Sequence, residues 1–151
     1  MKKQDYTATF LVKATANKAF KSINHVAAWW TENLEGASEQ PGDRFTVTFG
    51  DTFVTMKIVE AIPGKKIVWE VADCYLHWLQ KDKQEWTGMK IEWEFQSFGD
   101  STTIGMTHVG LVPEVECYES CEKGWNFYVK ESLFKLLSEG KGVPELSKAI
   151  N

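Results

Sequence analysis

The chain has 151 residues, 43% of them hydrophobic and 25% charged, with a formal net charge of -4 at pH 7. That length fits one domain with a core of its own, and the balance of residues excludes disorder, coiled coil and collagen. Charges of both signs are scattered, which argues against nucleic acid or an anionic membrane surface as a partner, and no apolar run nears the ~18 residues of a membrane span.

The opening, Met1-Lys2-Lys3-Gln4-Asp5, leads into strand-like alternation instead of a signal-peptide core, so a single domain over residues 1–151 and a cytoplasmic location are expected. Tyr6, Ala8, Phe10 and Val12 alternate with Thr7 and Thr9, the pattern of a first strand. Thr15 or Asn17 then caps a short helix through Ile23, and Val26 to Trp30 reads as a second one. The segment from Glu35 to Asp43 carries Gly36, Ser38, Pro41 and Gly42 and is expected to be a loop.

Strands follow in series. Phe45, Val47 and Phe49 alternate with polar neighbours, and Gly50-Asp51 makes a hairpin turn into the run from Phe53 to Ile62. After Pro63-Gly64-Lys65 come Ile67, Trp69 and Val71; later Met89, Ile91, Trp93 and Phe95 alternate with charged or polar residues, and Thr103 to Val109 ends the series. Such a meander has one dry face and one wet face. Between the strands, Cys74 to Trp86 holds a polar apex flanked by large apolar residues, which predicts either a hairpin tip or flap over one end of a sheet–helix cavity or a plain extension of the sheet with those rings in the core.

The last third changes period. From Glu114 to Glu139 a long amphipathic helix is expected, with Tyr118, Cys121, Trp125, Val129, Ser132, Leu133 and Leu136 on one stripe and Gly140 as the stop. Phe127 and Phe134 fall on the opposite face, where they suggest a partner or self-association surface unless one tucks under the amino-terminal segment. Gly124, poor in a helix interior, is expected to permit a close backbone approach or a bend. The order of elements gives an α+β class: about six antiparallel strands, two short helices after the first strand, and a long final helix packed across the concave face.

Several stretches carry a resemblance. They are Val26-Ala27-Ala28-Trp29-Trp30, Pro41-Gly42-Asp43-Arg44-Phe45 and Val59 through Trp69, then Thr107-His108-Val109-Gly110-Leu111 and Gly124-Trp125, followed by Leu133, Leu136, Leu137 and Gly140. In that order they resemble the START-like (SRPBCC) superfamily with the helix-grip fold, and within it the group related to the Hsp90 ATPase activator homologue domain. The resemblance implies the fold. It also implies a choice among hydrophobic-ligand binding, chaperone regulation through a protein surface, and cyclase-like or hydrolase-like catalysis.

Seven Trp and nine Phe are an unusual surplus, and rings line ligand pockets as readily as they fill cores. The residues expected to face a sheet–helix cavity are Trp69, Met89, Ile91, Trp93, Met106 and His108 from the strands, with Tyr118, Cys121 and Trp125 from the helix. The alternative is that the same rings fill the space. His108 shares its parity with Ile104 and Met106, so it faces inward, either toward a ligand or as a satisfied structural imidazole. Cys117 and Cys121 lie one helical turn apart without a zinc-type ligand set, and three cysteines make no disulfide framework. Glu114, Glu116, Glu119 and Glu122 complement the helix dipole. No catalytic constellation, metal site or cofactor motif emerges. The expected partner is a small hydrophobic molecule, with a homodimer and a chaperone as further candidates.

Overall fold

The computed structural model describes residues 4–145; Met1, Lys2 and Lys3 of the opening segment lie outside them. Strand β1 (Tyr6–Val12) leads to helix α1 (Ala16–Asn24) and a single 3-10 turn (Val26–Ala28). Thr15 caps α1 by accepting a hydrogen bond from the Lys18 N–H at 3.1 Å, and Ala19, Phe20 and Ile23 form its buried face. The second predicted helix is shorter than expected, since Trp29 and Trp30 already belong to a turn.

Six more strands follow: β2 (Leu34–Gly36), β3 (Arg44–Phe49), β4 (Thr52–Ile62), β5 (Lys66–Tyr75), β6 (Lys90–Phe98) and β7 (Ser101–Val109). They form one seven-stranded sheet in the order β1-β7-β6-β5-β4-β3-β2, and every pairing is antiparallel. The strand count therefore exceeds the expected six. The extra strand is β2, which takes up the start of the segment read as a loop and pairs Leu34 with Val47 and Gly36 with Phe45.

Alternation holds along β1, β6 and β7, where Tyr6, Ala8, Ile91, Trp93, Ile104, Met106 and His108 are buried. The β4–β5 pair departs from it. Its register skips Ala72 and Val59, two bulges that bend the pair. The first also changes parity, so Cys74 is buried although it stands three residues beyond buried Val71.

The final helix spans residues 118–139 as α2 (Tyr118–Phe127), a π-helical turn (Tyr128–Leu133) and α3 (Phe134–Glu139). It starts later than predicted, because the run from Glu114 to Cys117 is spent in turns. Cys121, Trp125, Val129, Leu133 and Leu137 are buried. Steps of four residues overshoot a regular helix turn by about 40° each, and the π turn absorbs that drift. This is why the buried stripe ends on Leu137, while Leu136 is only half-buried. Gly140, at φ +85°, closes the helix in the left-handed region that favours glycine. The whole is an α+β helix-grip fold: a curved antiparallel sheet around one long helix.

Candidate functional site

Every tryptophan except Trp78 belongs to one chain of ring contacts across the interior. Trp86 stacks on Trp125, Trp125 meets Trp30 at 4.9 Å between centroids, and Trp30 stacks on both Trp29 and Trp69. Trp93 closes the chain edge to face against Trp69 and Trp29. The indole N–H groups of Trp69 and Trp93 meet no acceptor among the described residues. Their edge-to-face surroundings offer π faces instead of oxygen.

At one end of this chain the rings leave a cavity of about 280 Å³, just below the ~300–1,000 Å³ usual for ligand pockets. Trp30, Phe49 and Val54 form one side. The coil between β5 and β6 covers it with Leu76, Trp78 and Trp86, in the position expected of a flap. The helix supplies Ser120, Cys121, Gly124 and Trp125, with Tyr128 one turn further on.

Of the residues expected to face a ligand, Cys121 and Trp125 line this cavity. Trp69, Ile91, Trp93 and Met106 are buried deeper in the interior. Tyr118 is half-buried outside it, its hydroxyl 3.5 Å from the Glu122 carboxylate. His108 lies behind the cavity wall and is wholly buried. Its Nδ1 accepts the Trp125 Nε1–H at 3.0 Å, so its own proton sits on Nε2, which faces the Met89 sulfur at 3.2 Å. Trp86 covers the ring edge to face at 4.5 Å. Burial without a charge partner pulls the His108 pKa down to about 3, so the imidazole is neutral at physiological pH. This is a structural hydrogen bond that fixes Trp125, made to a partner that sequence spacing did not indicate.

The three thiols are buried as well. Cys117 accepts the Trp86 Nε1–H at 3.2 Å. The adjacent Cys117 thiol and burial push the Cys121 pKa well up, so Cys121 lines the cavity as a protonated thiol. Among the described residues, no charged side chain lines the cavity. The lining is apolar apart from the hydroxyl-bearing Thr52, Ser120 and Tyr128 and the Cys121 thiol.

The covering coil is anchored to the start of the helix. The Glu116 carboxylate accepts from the N–H groups of Gln80 and Lys81, at 2.8 and 2.9 Å. Glu85 answers from the coil, accepting from the N–H groups of Glu116 and Cys117 at 3.1 and 3.3 Å. Glu116 thus ties down the coil, a role that a helix-dipole reading did not foresee. Gly124 also departs from expectation, because no atom lies within 4 Å of where its Cβ would stand and the π turn comes four residues later. Phe49 lines the cavity, as its place in the strand alternation allows, whereas the walls missed from sequence, Trp30 and Gly124, carry no signal separating them from core. Trp78 and Trp86 did carry one, as rings beside a polar apex.

Comparison with known proteins agrees with this architecture. The family model for Activator of Hsp90 ATPase homolog 1-like protein matches residues 14–138. The curated proteins include no match. Among solved structures, the Aha1 dimer from Colwellia psychrerythraea is similar with a TM-score of 0.75 and 20% identity, over 92% of this chain and 99% of that one. Protein SSP2350 from Staphylococcus saprophyticus has a TM-score of 0.70 and 13% identity, over 95% and 98% of the two chains. CalU16 from Micromonospora echinospora has a TM-score of 0.60 and 12% identity, over 82% and 70%. At such identities the structures speak for the fold alone, and none of the described helices is long and apolar enough to cross a membrane. With both the matched segment and the helix-grip architecture in place, the chain belongs to the Activator of Hsp90 ATPase homolog 1-like family.

Proposed function

We propose that this protein binds a small uncharged apolar or aromatic molecule between the sheet and the final helix. The observation that carries the reading is the cavity of about 280 Å³, walled by tryptophans and free of charged side chains. Cys121 and Trp125 touch the ligand directly. Trp69, Ile91, Trp93, Met106, Met89 and His108 hold those walls in place from behind. The test is native mass spectrometry of freshly purified protein, followed by titration of the emptied protein with 2-naphthol, read by calorimetry and tryptophan emission. A co-purified apolar molecule or saturable naphthol binding is expected. A protein that carries nothing and binds nothing would refute the reading.

The second reading is an interaction module of the chaperone-regulator kind, supported by the family's description and by exposed Trp78. Stimulation of an Hsp90-type ATPase by the ligand-free protein would favour it. The Colwellia relative is a dimer, so a homodimer of this chain is the assembly to look for by sedimentation.

A further inference from the structure

Gly124 stands in the middle of α2, on the face that lines the cavity. Its backbone does not require glycine, since it is absent from the positive-φ glycines. Packing does not require it either, because an added Cβ would meet no atom within 4 Å. Glycine is among the poorest residues for a helix interior, so folding alone favours alanine at this position. What glycine provides here is room: the strip of helix backbone at Gly124 is left bare toward the cavity.

The rest of the wall narrows what could use that strip. Trp30, Phe49, Trp86 and Trp125 present ring faces and edges, and the lining has no charge to pair with an ionised ligand. Thr52 Oγ1 accepts the His77 N–H at 3.0 Å, which leaves its hydroxyl proton free to donate. Ser120 adds a second hydroxyl one helical turn before Gly124. A space of about 280 Å³ suits a molecule of one or two fused rings.

We propose that Gly124 is the specificity-determining residue of the cavity: its missing side chain lets an uncharged planar aromatic molecule lie flat against the helix, its one polar substituent held by the cavity's hydroxyls. This rests on the binding reading above and names its ligand class.

The test compares the unaltered protein with Gly124→Ala and Gly124→Leu, using 2-naphthol as the flat probe and 1-adamantanol as a bulky alcohol. The unaltered protein is expected to bind 2-naphthol at least about tenfold more tightly than 1-adamantanol. Gly124→Ala is expected to melt about 2–4 °C higher, having gained helix propensity. Yet it should bind 2-naphthol about 10–200-fold more weakly, the usual effect of one carbon in an apolar pocket. Gly124→Leu should fold and bind no probe. Equal naphthol affinity in Gly124→Ala overturns the role of Gly124, and a lower melting temperature there removes its premise. Tighter binding of 1-adamantanol overturns the planar class while the cavity reading survives. Absence of any binding to the unaltered protein would sink the cavity reading itself, and this inference with it.

Discussion

The two ends of the sheet–helix interior are built from the same kind of residue and end up different. At the inner end Trp69 and Trp93 interlock edge to face with Phe45 and Trp29, at centroid distances of 5.2 to 5.6 Å, and all four rings are buried. At the outer end Trp30, Trp86 and Trp125 surround free space. The difference lies in what stands opposite the rings. The inner end is closed by paired strands whose alternate residues are large. The outer end is closed by a coil on one side and by a helix carrying glycine on the other. Rings make a core where their neighbours interdigitate and a pocket where the facing backbone brings no side chain.

The sharpest way to break that comparison is to truncate one ring from each end. Trp93 is wholly buried, whereas Trp78 at the cavity rim is 43% exposed. Trp93→Ala is expected to lose about 3–5 kcal/mol of stability and Trp78→Ala under ~1 kcal/mol, both measured by denaturant titration. Similar losses in the two variants would mean that the ends are packed alike.

Much of this layout is legible in the residues. The strict alternation of Ile91, Trp93 and Phe95 with charged neighbours places β6, and Gly140 marks the helix end. Strand β2 was hidden because Leu34-Glu35-Gly36 is too short to show a period and sits beside a glycine- and proline-rich stretch. The π turn was hidden for another reason: the stripe drawn at 100° per residue fits Ser132 and Leu136 well enough, and only three-dimensional packing selects Leu137. The cavity's position was the least legible. Parity says that Trp69, Trp93 and Trp125 all face inward, but which rings meet another ring and which meet a gap depends on the coil and on Gly124, elements far apart in the chain.

His108 stands where the two regions meet, and its proton offers a second test. The unfolded chain's imidazole protonates near 6.5, while burial holds the folded one down to about 3. Between those values the unfolded state binds the extra proton. The contribution is complete above pH 6.5 and is lost progressively as pH falls toward 3, amounting to about 2 kcal/mol by pH 5. His25 and His77 are exposed, so the effect falls on His108. Denaturant titrations at pH 7 and pH 5 should show this loss, and His108→Gln, which has no proton to take up, should flatten it. Equal losses in both proteins would remove His108 as the cause.

A smaller and more local effect is expected where the coil is fastened. The N–H groups of Lys81 and Gln80 hold the Glu116 carboxylate below its usual range, so it stays ionised as a clasp under mild acid. Glu116→Ala should accelerate amide exchange at Gln80 and Lys81 while β6 and β7 stay protected. That outcome would show a cover able to open independently of the filled end. Uniform exchange across both regions would show that the cover and the core open as one unit.

The least effect is expected on the helix's outer face. Phe134, half-buried, tucks against Phe10 of β1 at 5.7 Å, so it is committed to the fold. Phe127 is 36% exposed and its ring meets that of its chain neighbour Tyr128 at 5.1 Å. One exposed ring falls far short of the ~800 Å² per partner that a stable interface buries. Phe127→Ser should therefore change stability by no more than ~0.5 kcal/mol and leave the sedimentation profile of the unaltered protein intact. Phe134→Ser should destabilise more, through the lost contact with Phe10. A shift in sedimentation on replacing Phe127 alone would give this face a role in assembly that its single exposed ring does not otherwise indicate.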